Sequence, residues 1–311
     1  MELHIEELNK KLKMDKMGTI LDCDIACQNQ LENLADSVIQ NRINSPIICI
    51  AGPSGSCKTT TALALEKILD NRGFETHVLS LDHYFRTLSK EEHELAEQGK
   101  IDLESPARLD LPFLNEQLTD ILKCRTVRLP KYDFKQTKRI DSGKVLKRKE
   151  GELVILEGIH ALNPSVIQIS DINTMRVYVD VTTKILLNNG KQQLSSSYIR
   201  LLRRLLRDVK HRKRSYKDTI NMMQSVENGE KRFIKPFKIR AEYQIDTFFP
   251  YELGVYKNIL LPVLKLNEFI DNKIVKDILP FIEASYEIEP DLIPEFSFIQ
   301  EFIGYSKYYS Y

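Results

Sequence analysis

Ile47-Ile48-Cys49-Ile50-Ala51-Gly52-Pro53-Ser54-Gly55-Ser56-Cys57-Lys58-Thr59-Thr60-Thr61-Ala62-Leu63 is the stretch that decides the fold. Its first four residues form a short apolar run, the mark of a strand buried on both faces. A Gly-rich turn follows, and Thr60 to Leu69 then reads as a helix that Gly73 ends. Strand, turn and helix fit the phosphate-binding pattern of Gly, four residues, Gly, Lys, and Ser or Thr in every place but one. The exception is Cys57, which stands where the pattern has its second glycine.

Such a loop works through successive backbone N–H groups and a helix N-terminus, which together cradle phosphate oxygens. Gly52, Pro53, Ser54, Gly55, Ser56, Cys57, Lys58, Thr59 and Thr60 are therefore the expected nucleotide-binding set. Lys58 is expected on the β- and γ-phosphates and the Thr59 hydroxyl on Mg²⁺. A Cβ at position 57 is expected to crowd a phosphate or strain the turn, at about 1–3 kcal/mol. That cost is worth about ten- to a hundred-fold in nucleotide affinity.

Outward from the loop, His77 to Leu81 reads as a second strand ending at Asp82. A helix is expected around Leu111 to Leu122, and a short strand at Val127-Arg128-Leu129 before Pro130. Leu153 to Leu156 and Met175 to Val181 read as further strands. Strands alternating with helices indicate an α/β fold with a parallel sheet flanked by helices. In such sheets ligands gather beyond the carboxyl ends of the strands. The turn at 52–58, Asp82 and Glu157 all fall at such ends. Asp82, as a carboxylate, can orient and deprotonate an acceptor hydroxyl. Glu157 suits Mg²⁺, which takes one or two carboxylates plus phosphates, and Asp82 is the second candidate carboxylate. The polar stretch 188–199 reads as a mobile loop.

The 311 residues carry 45 Lys+Arg against 44 Asp+Glu, a net charge of +1, with 42% hydrophobic residues. This excludes collagen-like, low-complexity and typical disordered chains. Near-zero charge argues against a protein whose main task is coating nucleic acid. No run approaches the roughly 18 apolar residues of a membrane span, so no membrane partner is expected. The first residues, MELHIEELNKKLK, lack the apolar core of a signal peptide. Five scattered cysteines without a secretory signal suggest a reducing compartment, hence a cytoplasmic location.

Several motifs in order carry a resemblance. They are Leu79 to Phe85, Gly99 to Pro106, Pro130-Lys131-Tyr132-Asp133-Phe134, Glu157-Gly158-Ile159-His160, and Arg200 to Asp208. Their order and spacing resemble the uridine kinase and phosphoribulokinase family of P-loop nucleoside kinases. Glu157 to Pro164, Gly229-Glu230 and Phe302-Ile303-Gly304 are closer to its bacterial uridine kinase-like subgroup. The resemblance implies transfer of the γ-phosphoryl group of ATP or another NTP, with Mg²⁺, to the 5′-hydroxyl of a nucleoside-like acceptor. It implies Asp82 as base, Glu104 on ribose hydroxyls, Tyr132 beside the base and Arg139 near the substrate. Tyr84 is expected to wall the pocket or fill the core. Thr137 stands where pyrimidine-specific members carry histidine, which leaves base specificity open. Relatives of this kind form homo-oligomers, and no interface is legible here.

Arg200, Arg203, Arg204 and Arg207 repeat at i, i+3, i+4 and i+7 and so share one helix face. The resemblance makes this a lid whose Arg204, Arg207 and Arg212 close over the phosphates, with Arg214 toward the substrate. The family pattern has aspartate at Tyr198 and glycine at Lys213. Gln300 and Tyr305 likewise replace an arginine and a glycine of the subgroup's tail motif. The expected organisation is a helical appendage at 1–45, a kinase domain at 46–259 with its lid at about 198–214, and a C-terminal extension at 260–311 packed on that domain. Two other readings stay open: a nucleotide-binding relative weakened or inactivated at Cys57, and a nucleic-acid-binding protein using the basic helix.

Overall fold

The computed structural model describes residues 2–89, 91–92, 102, 104–133, 136–188, 190–304 and 306–308. The chain begins with β1 (Glu2–His4), α1 (Ile5–Met14) and the long α2 (Lys16–Asn41). Asp15 starts α2 by accepting the Gly18 N–H at 2.8 Å. The phosphate-loop unit is β2 (Ile47–Ala51) followed by α3 (Lys58–Asn71), and β3 (Thr76–Ser80) comes next. Then come α4 (Leu111–Leu122), β4 (Thr126–Asp133), β5 (Lys138–Lys147), β6 (Leu153–Glu157), β7 (Thr174–Asp180), β8 (Lys184–Leu187) and β9 (Gln192–Leu194). Helices α5 (Ser196–Arg212), α6 (Tyr216–Asn221) and α7 (Met223–Phe233) lead to β10 (Tyr243–Asp246). The chain closes with α8 (Glu252–Leu264), α9 (Lys273–Ala284) and the short α10 (Gln300–Ile303).

Five strands form one sheet in the order β10-β7-β2-β6-β3. Every pairing in it is parallel. With helices packed on both faces, this is the expected α/β architecture. Strand β2 is buried along its whole length, and its residues alternate between two cores. Ile48 and Ile50 join the larger core with α1, α2, α3, α5 and the C-terminal helices. Ile47, Cys49 and Ala51 join the smaller one with α4 and the β4–β5 hairpin. No helix among the described residues is long and apolar enough to cross a membrane.

Two expectations are corrected, and one strand escaped the sequence reading. The strand at Val127 to Leu129 is real, but it lies outside the main sheet, in the antiparallel β4–β5 hairpin. Pro130 lacks an N–H, and the ladder slips between Arg128 and Pro130. The stretch 188–199 is not one loop. Gln192–Leu194 pairs antiparallel with β8, which itself pairs parallel with β1, and α5 starts at Ser196. Edge strand β10 has only four residues and no continuous apolar run, so its pattern is too weak to read. Within the resemblance motifs, Gly99, Lys100, Ile101, Leu103, Phe134 and Tyr305 lie outside the described residues.

Candidate active site

The loop between β2 and α3 has its shape enforced from several sides. A Cβ on Gly52 would sit 1.9 Å from the Val179 carbonyl oxygen of the neighbouring strand, so no side chain fits. Gly55 has φ +80°, where glycine is free of strain. Cys57 has φ +61° and ψ +29°, the left-handed region, and still serves as the residue before α3. Its side chain is 1% exposed and belongs to the larger core. The sulfur lies 3.5 Å from Arg203 Nη1. Burial pushes the thiol well above its usual pKa, and Arg203 opposes this only in part. The thiol is therefore held in its protonated form, unlike the exposed, low-pKa thiols that react readily. The Cβ expected to crowd a phosphate is directed into the protein instead.

Five successive carbonyl oxygens of the loop, from Pro53 to Cys57, each accept a hydrogen bond. Lys58 Nζ turns back to Pro53 O at 3.0 Å. Arg200 Nη1 donates to Ser54 O at 3.2 Å, and Arg203 Nη1 to Gly55 O at 3.0 Å. Thr247 Oγ1 donates to Ser56 O at 3.1 Å, and Cys57 O receives the Thr61 N–H at 2.8 Å. In a trans peptide the N–H points opposite to the carbonyl. Carbonyls tied to the protein leave the N–H groups of Gly55, Ser56 and Cys57 to line the cradle, as a bound phosphate requires.

The two arginines are fixed in turn. Arg200 makes a two-pronged pair with Glu230 at 2.5 and 2.9 Å, and its Nε lies 3.2 Å from Asp180. Arg203 pairs with Glu252 at 2.7 and 2.8 Å and packs against the Phe302 ring, 5.3 Å from its centroid. Arg200, Arg203, Arg204 and Arg207 are all at most 6% exposed. The front half of this helix is a buttress for the phosphate loop, and it offers no basic face to nucleic acid. Leucines fill the rest of its circumference, and that pattern is the sequence sign of a helix buried all round. Lys213 ends the helix at φ +54°, a conformation that favours the family's glycine.

Beyond the loop, Ser80 and Glu157 are register partners at the ends of β3 and β6. A turn over Leu81–Tyr84 then carries Asp82. A Cβ on Gly158 would stand 2.6 Å from Leu81 Cβ, so this glycine lets the Asp82 turn close onto the end of β6. Glu157 is 4% exposed and lies beside the Ser80 and Thr59 hydroxyls. Burial first, and the Asp82 carboxylate second, push its pKa up to about 7. Lys58 acts against that rise. Two carboxylates and the Thr59 hydroxyl at the mouth of a phosphate cradle form an all-oxygen donor set that fits Mg²⁺.

Near Asp82 lie Glu104 and His160, with Arg204 beside Glu104. Glu104 packs where Gly229 leaves room, a Cβ there being only 2.5 Å from Glu104 Cβ. Burial raises the Glu104 pKa, and Arg204 and Lys58 oppose it. Burial lowers Arg204 to about 10, with Arg207 adding to the effect. Asp208 gathers Arg207 at 2.8 Å, Arg214 at 3.3 Å and Arg212 at 3.7 Å. Tyr132 is buried with its ring edge-on to Phe85, 5.6 Å between centroids.

Not every expected residue converges on this centre. Thr60 donates to Glu301 of the C-terminal extension, away from the cradle. Arg139 pairs with Asp110 at 2.8 Å and covers the Phe113 ring. The Tyr84 hydroxyl donates to Gln117 at 2.9 Å. Tyr84 also borders a groove of about 420 Å³ between α3, β3 and the hairpin, together with Thr59 and Glu157. Arg214 is held by Asp208 at the rim. Sequence reasoning missed the roles of Glu230, Glu252, Thr247 and Glu301, because partners tens of residues away leave no local pattern.

The model of the Phosphoribulokinase / Uridine kinase family matches residues 47–249. The uridine kinase of Lactobacillus johnsonii is 32% identical over 199 residues, 63% of this chain and 83% of that protein. The uridine kinase of Ligilactobacillus salivarius is 32% identical over 204 residues, 65% of this chain and 85% of that protein. A crystal structure named for a fructose transport system kinase of Silicibacter sp. TM1040 superposes with TM-score 0.52 at 17% identity, covering 69% of this chain and 98% of that one. It supports the fold.

Proposed function

We propose that this chain, which belongs to the Phosphoribulokinase / Uridine kinase family, transfers the γ-phosphoryl group of ATP to the 5′-hydroxyl of a nucleoside. The observation that carries this reading is the meeting of Asp82, Glu157, Thr59 and Lys58 at the mouth of a cradle whose Pro53 to Cys57 carbonyls are tied back. The N–H groups of Gly55, Ser56 and Cys57 bind phosphate oxygens, and Lys58 leaves Pro53 O for the β- and γ-phosphates. Thr59 and Glu157, with Asp82 beside them, would hold Mg²⁺, which would neutralise charge on the transferring group. Asp82 orients the acceptor hydroxyl and takes its proton as the oxygen attacks phosphorus. Arg204, and Arg207 and Arg212 around Asp208, supply positive charge to the phosphates. Glu104 receives sugar hydroxyls, and Tyr132 with Phe85 offers aromatic surface to the base.

The inactive-relative reading rests on Cys57, and the inward course of that side chain removes its main motive. The nucleic-acid reading loses Arg200 and Arg203 of its basic face to the buried ion pairs of α5. The test is Asp82→Asn. Turnover is expected to fall at least a hundredfold, while the Mg-ATP dissociation constant measured by calorimetry stays within about threefold, as removal of a base at the reacting centre demands. Equal turnover in variant and parent would refute the assignment.

A further inference from the structure

Thr60 is the third residue of α3, next to the phosphate cradle, yet its side chain turns the other way. Its Oγ1 donates to Glu301 Oε2 at 2.5 Å, across 241 residues of chain. Both residues are buried. Glu301 lies in α10, beyond residues 47–249, which the family model matches. Its neighbours in sequence reach the other element behind the cradle. Phe302 packs on the Arg203 guanidinium, and Arg203 holds Gly55 O at 3.0 Å. Ile303 O accepts Lys210 Nζ at 2.9 Å. Three consecutive residues therefore touch the first turn of α3, the middle of α5 and the last turn of α5.

The first turn of α3 is the part that meets phosphate. The first bond within that helix runs from Thr61 N–H to Cys57 O. The N–H groups of Lys58, Thr59 and Thr60 thus have no acceptor in the helix, and a helix N-terminus presents such donors to an anion. Thr60 has a stiff, β-branched side chain, so fixing its hydroxyl fixes the main chain that carries it. A buried carboxylate must shed its water, a cost that an apolar side chain of the same size avoids. What Glu301 adds over such a side chain is an acceptor for Thr60. Its charge is also felt at the Cys57 thiol, inside the loop itself.

We infer that Glu301 is a positioning residue of the nucleotide site: by holding Thr60 it fixes the first turn of α3 against α5, and so sets the affinity of the phosphate loop for Mg-ATP. The inference rests on the nucleotide-binding half of the proposed kinase reading and holds whatever the acceptor is.

The experiment is a double-mutant cycle on the full chain. Calorimetry gives the Mg-ATP dissociation constant of the parent, Thr60→Val, Glu301→Ala and the double variant. This constant does not depend on the fraction of active protein, so partial misfolding leaves it unmoved. Each single variant is expected to bind about tenfold more weakly, the scale of one hydrogen bond. The double variant is expected to bind no more weakly than Glu301→Ala, because a contact between the two is lost only once. KM for the nucleoside should stay within twofold, which a general loosening of the fold would not spare. Glu301→Gln keeps an accepting oxygen and is expected to recover most of the affinity. Glu301→Met, of similar length and unable to accept, takes the place of alanine in the cycle if that variant does not fold. Single variants that bind as tightly as the parent or more tightly, or effects that multiply to about a hundredfold in the double variant, overturn the role of Glu301 alone. A parent that does not bind Mg-ATP overturns the nucleotide-site reading and this inference with it.

Discussion

Replacing Cys57 by glycine and, separately, by alanine tests whether this residue damages the phosphate loop or merely lines its inner side. The backbone there has φ +61°, where a residue with a Cβ costs about 1–2 kcal/mol. Glycine escapes that cost but loses about 0.4–1 kcal/mol through its freer unfolded chain. The glycine variant should therefore be more stable than the alanine variant by about 1 kcal/mol. Both variants give up the sulfur packed against Arg203, so the pair isolates the backbone effect. Urea unfolding midpoints of the three proteins measure it. The same proteins titrated with Mg-ATP by calorimetry report on the loop. The side chain is buried on the core side, so all three affinities should agree within about threefold, well under the ten- to hundred-fold penalty that a strained or crowded loop would impose. A glycine variant that binds nucleotide tenfold more tightly than the parent would refute this, since it would place the Cβ among the phosphates after all. A glycine variant less stable than the alanine variant would refute the strain argument.

Two further outcomes follow from single contacts. Gly158→Ala would bring a Cβ within 2.6 Å of Leu81 Cβ, so the Asp82 turn must move; turnover should fall tenfold or more while Mg-ATP affinity changes little, and an unaltered kcat would show that the turn is not held there. Asp24 of α2 is buried against Tyr251 and Ser297, and burial raises its pKa from 3.8 to about 6. The folded protein then holds this proton more tightly than the unfolded chain, so stability declines as pH rises from about 4 to about 6 and stays lowered above that. The full effect is about 3 kcal/mol, and Asp24→Asn should remove it, so the variant should gain on the parent across this window in denaturant midpoints. A gap between the two that does not change with pH would contradict the assignment.

The parts of the fold that show in the sequence are those written in neighbouring residues. The run Ile47 to Ile50, the glycines at 52 and 55, and the helix from Thr60 are contiguous, so the phosphate-loop unit could be read directly. Asp82 and Glu157 were legible because parallel strands put their carboxyl ends on one edge. The hairpin was half-legible, since its polar, exposed alternation does not resemble a buried strand. The arginines of α5 show the limit most clearly. Their spacing gives one face of a helix, but whether that face meets solvent or the protein depends on Glu230 and Glu252, which follow 30 and 49 residues later. Thr60 was assigned to the nucleotide by proximity in the chain, and its partner Glu301 is 241 residues away.

The account stands or falls on phosphoryl transfer that depends on Asp82. The most direct measurement is mass spectrometry of products after incubating the protein and its Asp82→Asn variant with Mg-ATP and the four ribonucleosides. The account predicts a nucleoside monophosphate from the parent and about a hundredfold less from the variant. Monophosphate formed equally by both, or none from a parent that binds Mg-ATP, would contradict it.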